Sequence, residues 1–191
     1  MNLIAEFASW AFGRITDAIF PFENHPPMKP YLPGLLVEIA ETQLGIVESS
    51  KNHGDGIEKY WSATNYPDGY ANREPYCAAF VCWVVREAIG QSIAYTFKRP
   101  KTATAFGFEE WSLAQDASTH TKKSPRGDIQ PGDIVIFKFS HVGIACSPAD
   151  KSGHFKCIEA NTGPNGERDG DGVWKKTRHI DLVRSRVRFT V

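Results

Sequence analysis

Apolar positions recur every three to four residues through the first half of the chain and every second residue through the last third. From Leu3 to Phe20, Ile4, Phe7, Ala11, Ile15 and Ile19 share one helical face, opposite Glu6, Ser9, Gly13 and Asp17. This spacing predicts an amphipathic helix over residues 1–20. Polar residues interrupt it too often for a bilayer span, so stable membrane insertion is not expected; packing on the domain, or docking to a partner or membrane surface, is. Residues 21–33 contain five prolines with Asn24 and His25, a semi-rigid linker ahead of one domain over 34–191. A second amphipathic helix is expected from about Pro33 to Leu44, with Leu35, Leu36, Ile39 and Ala40 inward and Glu38, Glu41 and Thr42 outward. Asn52 to Gly56 reads as a turn.

The most apolar segment, Pro75 to Ile89, is closed by Gly90 and predicts a buried central helix. Its valines favour a strand, but its length and its Pro and Gly punctuation favour the helix. After the turn Pro131-Gly132-Asp133, short runs predict strands: Ile134–Phe139, Val142–Cys146, Phe155–Ala160, Val173–Ile180 and Leu182–Val191. In the last, Val183, Ser185, Val187 and Phe189 alternate with Arg184, Arg186 and Arg188, which predicts one buried face and one solvated arginine face. Helices first and strands after define an α+β domain with a mostly antiparallel sheet.

Lys plus Arg and Asp plus Glu are equal at 22 each, so no overall field draws the chain to nucleic acid, which is not an expected partner. The four cysteines, Cys77, Cys82, Cys146 and Cys157, are too sparse for a disulfide scaffold. They also lack the paired spacing of a zinc site, which would otherwise draw on His141 or His154. The start, Met1-Asn2-Leu3-Ile4-Ala5-Glu6, has no basic region or small-residue cleavage site of a signal peptide. Synthesis in a reducing cytoplasm is therefore expected, with any export by another route.

Cys77 falls in the first turn of the buried helix, where free backbone N–H groups and the positive dipole end favour a thiolate. The same groups can receive an oxyanion. A histidine must then supply the proton for a leaving amine, and His141, between two predicted strands, is the best placed. In Cys157-Ile158-Glu159-Ala160-Asn161 a period of two puts Glu159 and Asn161 on one strand face. Either could accept from the imidazole, leaving the other to polarise a carbonyl. Each residue also has a plain structural reading: a small buried Cys77, a core His141, a solvent-facing Glu159, a turn-forming Asn161. The other cysteines read as packing residues, and among the remaining histidines His53 alone is a candidate supporting contact for the site.

Pro75-Tyr76-Cys77-Ala78-Ala79-Phe80-Val81 with Trp83, then Pro131-Gly132-Asp133-Ile134-Val135, His141-Val142-Gly143 and Glu159-Ala160-Asn161 together resemble the CHAP family, within the wider NlpC/P60 and papain-like cysteine fold. The resemblance runs from about Leu35 to the C-terminus and implies a papain-like α+β fold. It also implies a peptidoglycan hydrolase that cleaves peptide or N-acetylmuramoyl-L-alanine amide bonds. Carried over by position, it names Cys77 as nucleophile, His141 as base, Glu159 as orienting carboxylate and Asn161 as accompanying polar group. Tyr76, where many relatives carry tryptophan, and Trp83 would face substrate. Some phage members bind calcium before the cysteine. Here Asp68–Glu74 has few acidic ligands and Asp169-Gly170-Asp171-Gly172 reads as a hairpin turn, so no metal or other cofactor is expected.

Peptidoglycan is thus the expected substrate, reached in the periplasm or cell wall by a phage lysis route or an injected, type VI secretion-like route. The injected case calls for an immunity protein. The competing expectations are a protease or acyltransferase with the same site, and an inactive binding module.

Overall fold

The computed structural model describes residues 31–190 apart from 92–94, 96, 116, 117, 126, 166 and 168. The helix expected over 1–20 and most of the proline-rich linker lie outside these residues. Helix α1 (Leu32–Glu41) takes Leu32 and Pro33 into its first turn, so the last two linker positions are helical; Leu36, Ile39 and Ala40 form its buried stripe. The left-handed Asn52 (φ 53°) and the Ser50–His53 bridge make the expected turn. The turn is shorter than expected, because its last two positions, Asp55 and Gly56, already belong to helix α2 (Asp55–Trp61), which has Asp55 and Glu58 at its positive end and Lys59 at its negative end. Helix α3 (Cys77–Gly90) is buried along most of its length, and a short α4 (Gly107–Leu113) precedes the sheet.

Six antiparallel strands follow: β1 (Thr119–Lys123), β2 (Ile134–Phe137), β3 (His141–Ala145), β4 (His154–Thr162), β5 (Gly172–His179) and β6 (Val183–Phe189), in the order β1-β6-β2-β3-β4-β5. Strand β1 has no apolar residue and so escapes any periodicity argument; its two lysines suit an edge strand. Helix α3 packs on β3 and β4 with α1 and α2 beside it. Ile134, Ile136, Val142, Ile144, Ile158, Ala160 and Val187 meet the helices from one face. The opposite face carries a second apolar cluster of Ile129, Val135, Phe137, Ala145, Phe155, Cys157 and Val183. With both faces covered, β2 and β3 are buried continuously instead of alternating.

The arginine row of β6 is only partly the solvated face the alternation suggested: Arg184 is exposed, Arg188 is half-buried and Arg186 is buried. Arg186 is buried and pairs with Asp128 at 2.7 Å, while Arg188 holds buried Asp133 through Nε at 2.7 Å and Nη2 at 2.8 Å. These arginines tie the Pro131-Gly132-Asp133 turn to the sheet, because a buried carboxylate requires a paired cation. All four cysteines are free thiols. Burial pushes the Cys82 thiol up to about 12 and the Cys157 thiol well above its ordinary range, in keeping with packing roles. Among the described residues, no helix is long and apolar enough to cross a membrane.

Candidate active site

The site is assembled where the start of α3 meets the ends of β3 and β4. Pro75 stops any earlier helical hydrogen bonding, and Tyr76 takes the capping position without a side-chain cap of its own. Its backbone N–H instead donates to Oδ1 of Asn161 at 2.9 Å. Asn161 sits where the β4–β5 register slips between Ala160 and Thr162, in the left-handed conformation (φ 58°) that asparagine tolerates well. The bulge therefore turns its amide toward the helix start, and Asn161 anchors the backbone just before Cys77. Cys77 itself is 7% exposed at the first turn, among N–H groups that lack intrahelical acceptors.

His141 opens β3 after a three-residue connection whose last residue, Ser140, has φ 58°. This turn is stiffened by Phe137 and Phe139, stacked at 5.2 Å, and Phe139 in turn lies 5.8 Å from the imidazole at 18°. The ring is 2% exposed, and Cys77 lies close enough to act on its charge. Its Nε2 lies 3.1 Å from Oε2 of Glu159, a charge contact in which the N–H points off the line to the oxygen. Nδ1 is thus the nitrogen left for the sulfur. Burial by itself would lower the imidazole pKa, but Cys77 and then Glu159 outweigh it and raise the value to about 9.

Glu159 is fully buried. Burial works to raise its pKa, yet hydrogen bonds from Arg178 and then the close His141 ring hold the carboxyl below the ordinary range. Arg178 on β5 grips both oxygens, Nε to Oε1 at 2.8 Å and Nη2 to Oε2 at 2.6 Å. Its guanidinium also lies over the rings of Phe137 and Phe139 at 5.6 Å from each centroid. Gly143 explains the glycine of His141-Val142-Gly143. A Cβ there would meet Cγ of Glu159 at 2.6 Å and the Ile158 carbonyl at 2.8 Å, so only a bare backbone lets the carboxylate pass toward the imidazole.

Cys77, His141 and Glu159 are brought together as the motifs suggested, and Asn161 adjoins them through Tyr76. The two aromatic candidates do not line the groove at Cys77. Tyr76 has no exposed surface, because its ring turns into the core beside Tyr60 at 6.2 Å. Trp83 is six residues beyond Cys77, about 9 Å along the helix and about 120° around it. It packs edge-on against Tyr60 at 5.5 Å beneath Lys59. The groove that reaches Cys77, of about 330 Å³, is walled instead by Trp61, Tyr66, Pro75, Thr104 and Ser140. Trp61 is pressed flat on Gly69, where a Cβ would fall 2.2 Å from the indole. His53 stacks on Tyr70 at 4.2 Å, and its ring nitrogen meets the Tyr70 hydroxyl at 3.3 Å. Arg178 had one legible signal: in β5, Lys176 and Arg178 occupy the same alternate face, which a wholly solvated strand would not need.

No curated protein matches the chain in sequence. Among solved structures it is similar to the crystal structure of a wild type endolysin, LysIME-EF1, at 14% identity and a TM-score of 0.47. That match covers 82% of this chain and spans 63% of the endolysin chain's length. The family model for the CHAP domain matches residues 65–161, a stretch that contains Cys77, His141, Glu159 and Asn161 but not Arg178. Since that match takes in just over half of the 191 residues, the chain belongs to the CHAP domain family.

Proposed function

We propose that this protein is a peptidoglycan hydrolase that cleaves amide bonds of murein through Cys77, His141 and Glu159. The observation that carries the reading is a buried imidazole in contact with the Glu159 carboxylate and under the electrostatic influence of Cys77, within the CHAP-matching stretch. The Cys77 thiolate adds to the scissile carbonyl, and first-turn N–H groups of α3 receive the oxyanion. As the tetrahedral adduct collapses, the C–N bond breaks and the His141 imidazolium gives its proton to the departing amine. A thioester on Cys77 remains. Water, deprotonated by the now neutral His141, adds to it, and the released thiolate recovers the starting pair. Glu159 fixes the ring and stabilises its charged form; Asn161 holds the backbone that presents the sulfur.

Within this reading the enzyme is an endopeptidase or an N-acetylmuramoyl-L-alanine amidase. It acts in the periplasm or cell wall after delivery, as an injected antibacterial effector or as a phage lysin. An effector of this kind has an immunity protein that blocks the groove beside Cys77 in the producing cell. Digestion of purified sacculi, followed by mass spectrometry of the fragments, tests the reaction. Fragments with a new amine and a new carboxyl terminus are expected, and their position distinguishes endopeptidase from amidase. Sacculi left without new termini would refute it.

A further inference from the structure

Beyond the Cys77 groove lies a larger one, of about 750 Å³, whose lining carries three cations, Lys98, Arg99 and Lys101, against a single carboxylate, Glu110. Such a surplus is out of keeping with a chain whose charges balance. Among the described residues, none of the three cations makes an ion pair. Arg99 gives Nη1 to the backbone carbonyls of Ala63 at 2.6 Å and Pro100 at 3.0 Å, so its charge is fixed in place without being neutralised. On the far wall, Trp111 is held by its own Nε1, which donates to the Lys98 carbonyl at 2.8 Å.

The two grooves share a rim. The Asn65 N–H donates to the Lys101 carbonyl at 2.7 Å, joining two segments that each run from one groove into the other. Asn65 and Lys101–Thr102 line the basic groove, while the adjoining Tyr66 and Ala103–Ala105 line the wall at Cys77. Thr102 and Thr104 are at most about 7 Å apart along an extended backbone, less than half the roughly 17 Å that five extended peptide residues span. A peptide bound in the Cys77 groove can therefore continue across this shared rim into the basic groove.

We propose that the groove of Lys98, Arg99 and Lys101 is a binding subsite for free carboxylates of an anionic peptide, setting which strand of substrate lies across Cys77. This rests on the peptidoglycan-hydrolase reading and names the substrate feature that reading leaves open: a stem peptide whose carboxyl groups are not amidated. The two lysines supply screened, mobile attraction, and Arg99 supplies a fixed fork suited to a carboxylate. Trp111 offers a flat apolar wall for the adjoining peptide.

The test uses the full chain carrying Cys77→Ala, which binds without turnover. The probe is a synthetic tetrapeptide Ala-γ-Glu-Lys-Ala, acetylated at its N-terminus and at its lysine and with free carboxyls, compared by calorimetry with the same acetylated peptide amidated at each carboxyl. The acid form is expected to bind more tightly, with affinity falling as sodium chloride rises. The double substitution Lys98→Gln, Lys101→Gln should weaken the acid form about fivefold and leave the amidated form unchanged, since exposed ion pairs are individually weak. Lys98→Arg with Lys101→Arg should restore binding, which separates loss of charge from loss of fold. In the otherwise wild-type enzyme, the glutamine pair should raise KM for sacculi more than it lowers kcat. Equal affinity for the two peptides, indifference to the glutamine pair, or no binding of the acid form overturns the subsite. Peptide binding that persists while wild-type protein leaves sacculi intact would retire the hydrolase reading and spare the groove.

Discussion

Arg178 closes both oxygens of Glu159, at 2.8 Å and 2.6 Å, from a strand that lies outside the family-matched stretch. The pairing keeps a fully buried carboxylate charged and aimed at His141. Arg178→Gln leaves that charge unpaired and should cost on the order of 3 kcal/mol in chemical denaturation, with a marked loss of turnover. Arg178→Lys should recover part of both. Because the folded Glu159 pKa is depressed, its contribution to stability is present above the unfolded value of about 4.3 and is lost as pH falls through the folded value. Acid unfolding of Arg178→Gln should therefore begin at higher pH than in the wild type. An unmoved acid transition contradicts the assignment.

For His141 the sign is opposite. A folded pKa raised to about 9 means that its contribution is complete below the unfolded value of about 6.5 and disappears as pH rises through about 9. Turnover should decline across the same alkaline window, as the imidazolium loses the proton that the leaving amine requires. Cys77 is the largest of the influences that raise this value, so Cys77→Ala should move the titration midpoint of the His141 ring, followed by NMR, to lower pH. A midpoint common to both proteins would mean that sulfur and ring do not interact.

Gly143→Ala places a methyl carbon 2.6 Å from Cγ of Glu159, 2.7 Å from the Cys157 sulfur and 2.8 Å from the Ile158 carbonyl. Backbone cannot yield as a flexible side chain does. A loss of about 1–3 kcal/mol is expected from thermal or urea unfolding, together with turnover reduced by roughly a hundredfold as Glu159 is displaced. Near-wild-type activity in this variant would show that Glu159 is not needed where it stands.

Asn161→Ala removes the acceptor for the Tyr76 N–H and puts a poorly suited residue at φ 58°. We expect about 1–3 kcal/mol of destabilisation and slower turnover, with the His141 titration midpoint unchanged because no part of Asn161 holds the ring. A shifted midpoint would assign Asn161 to the imidazole after all.

The parts legible in the sequence are those with a local signature. Helix α3 announces itself by an unbroken apolar run between proline and glycine, and His141 by its place between two strands. Strand β1 was illegible because an edge strand of threonine, histidine and lysine carries no hydrophobic period. The burial of Arg186 and the pairing of Arg188 are hidden for another reason: alternation distinguishes two faces of a strand but does not say that the second is partly covered, here against Asp128 and Asp133. Tyr76 looked like a groove residue because it adjoins Cys77, yet the turn entering α3 points neighbouring side chains in different directions. Trp61 and Tyr66, which do line the groove, come from a helix and turn whose position only the tertiary packing decides.

The most direct measurement is the rate of sacculus solubilisation by Cys77→Ala beside the wild type, with unfolding of both followed in parallel. Loss of one sulfur at a helix start opens little space, so the variant should unfold much as the wild type does while solubilising no sacculi above the rate without enzyme. A folded Cys77→Ala protein that still solubilises sacculi at the wild-type rate would contradict the account.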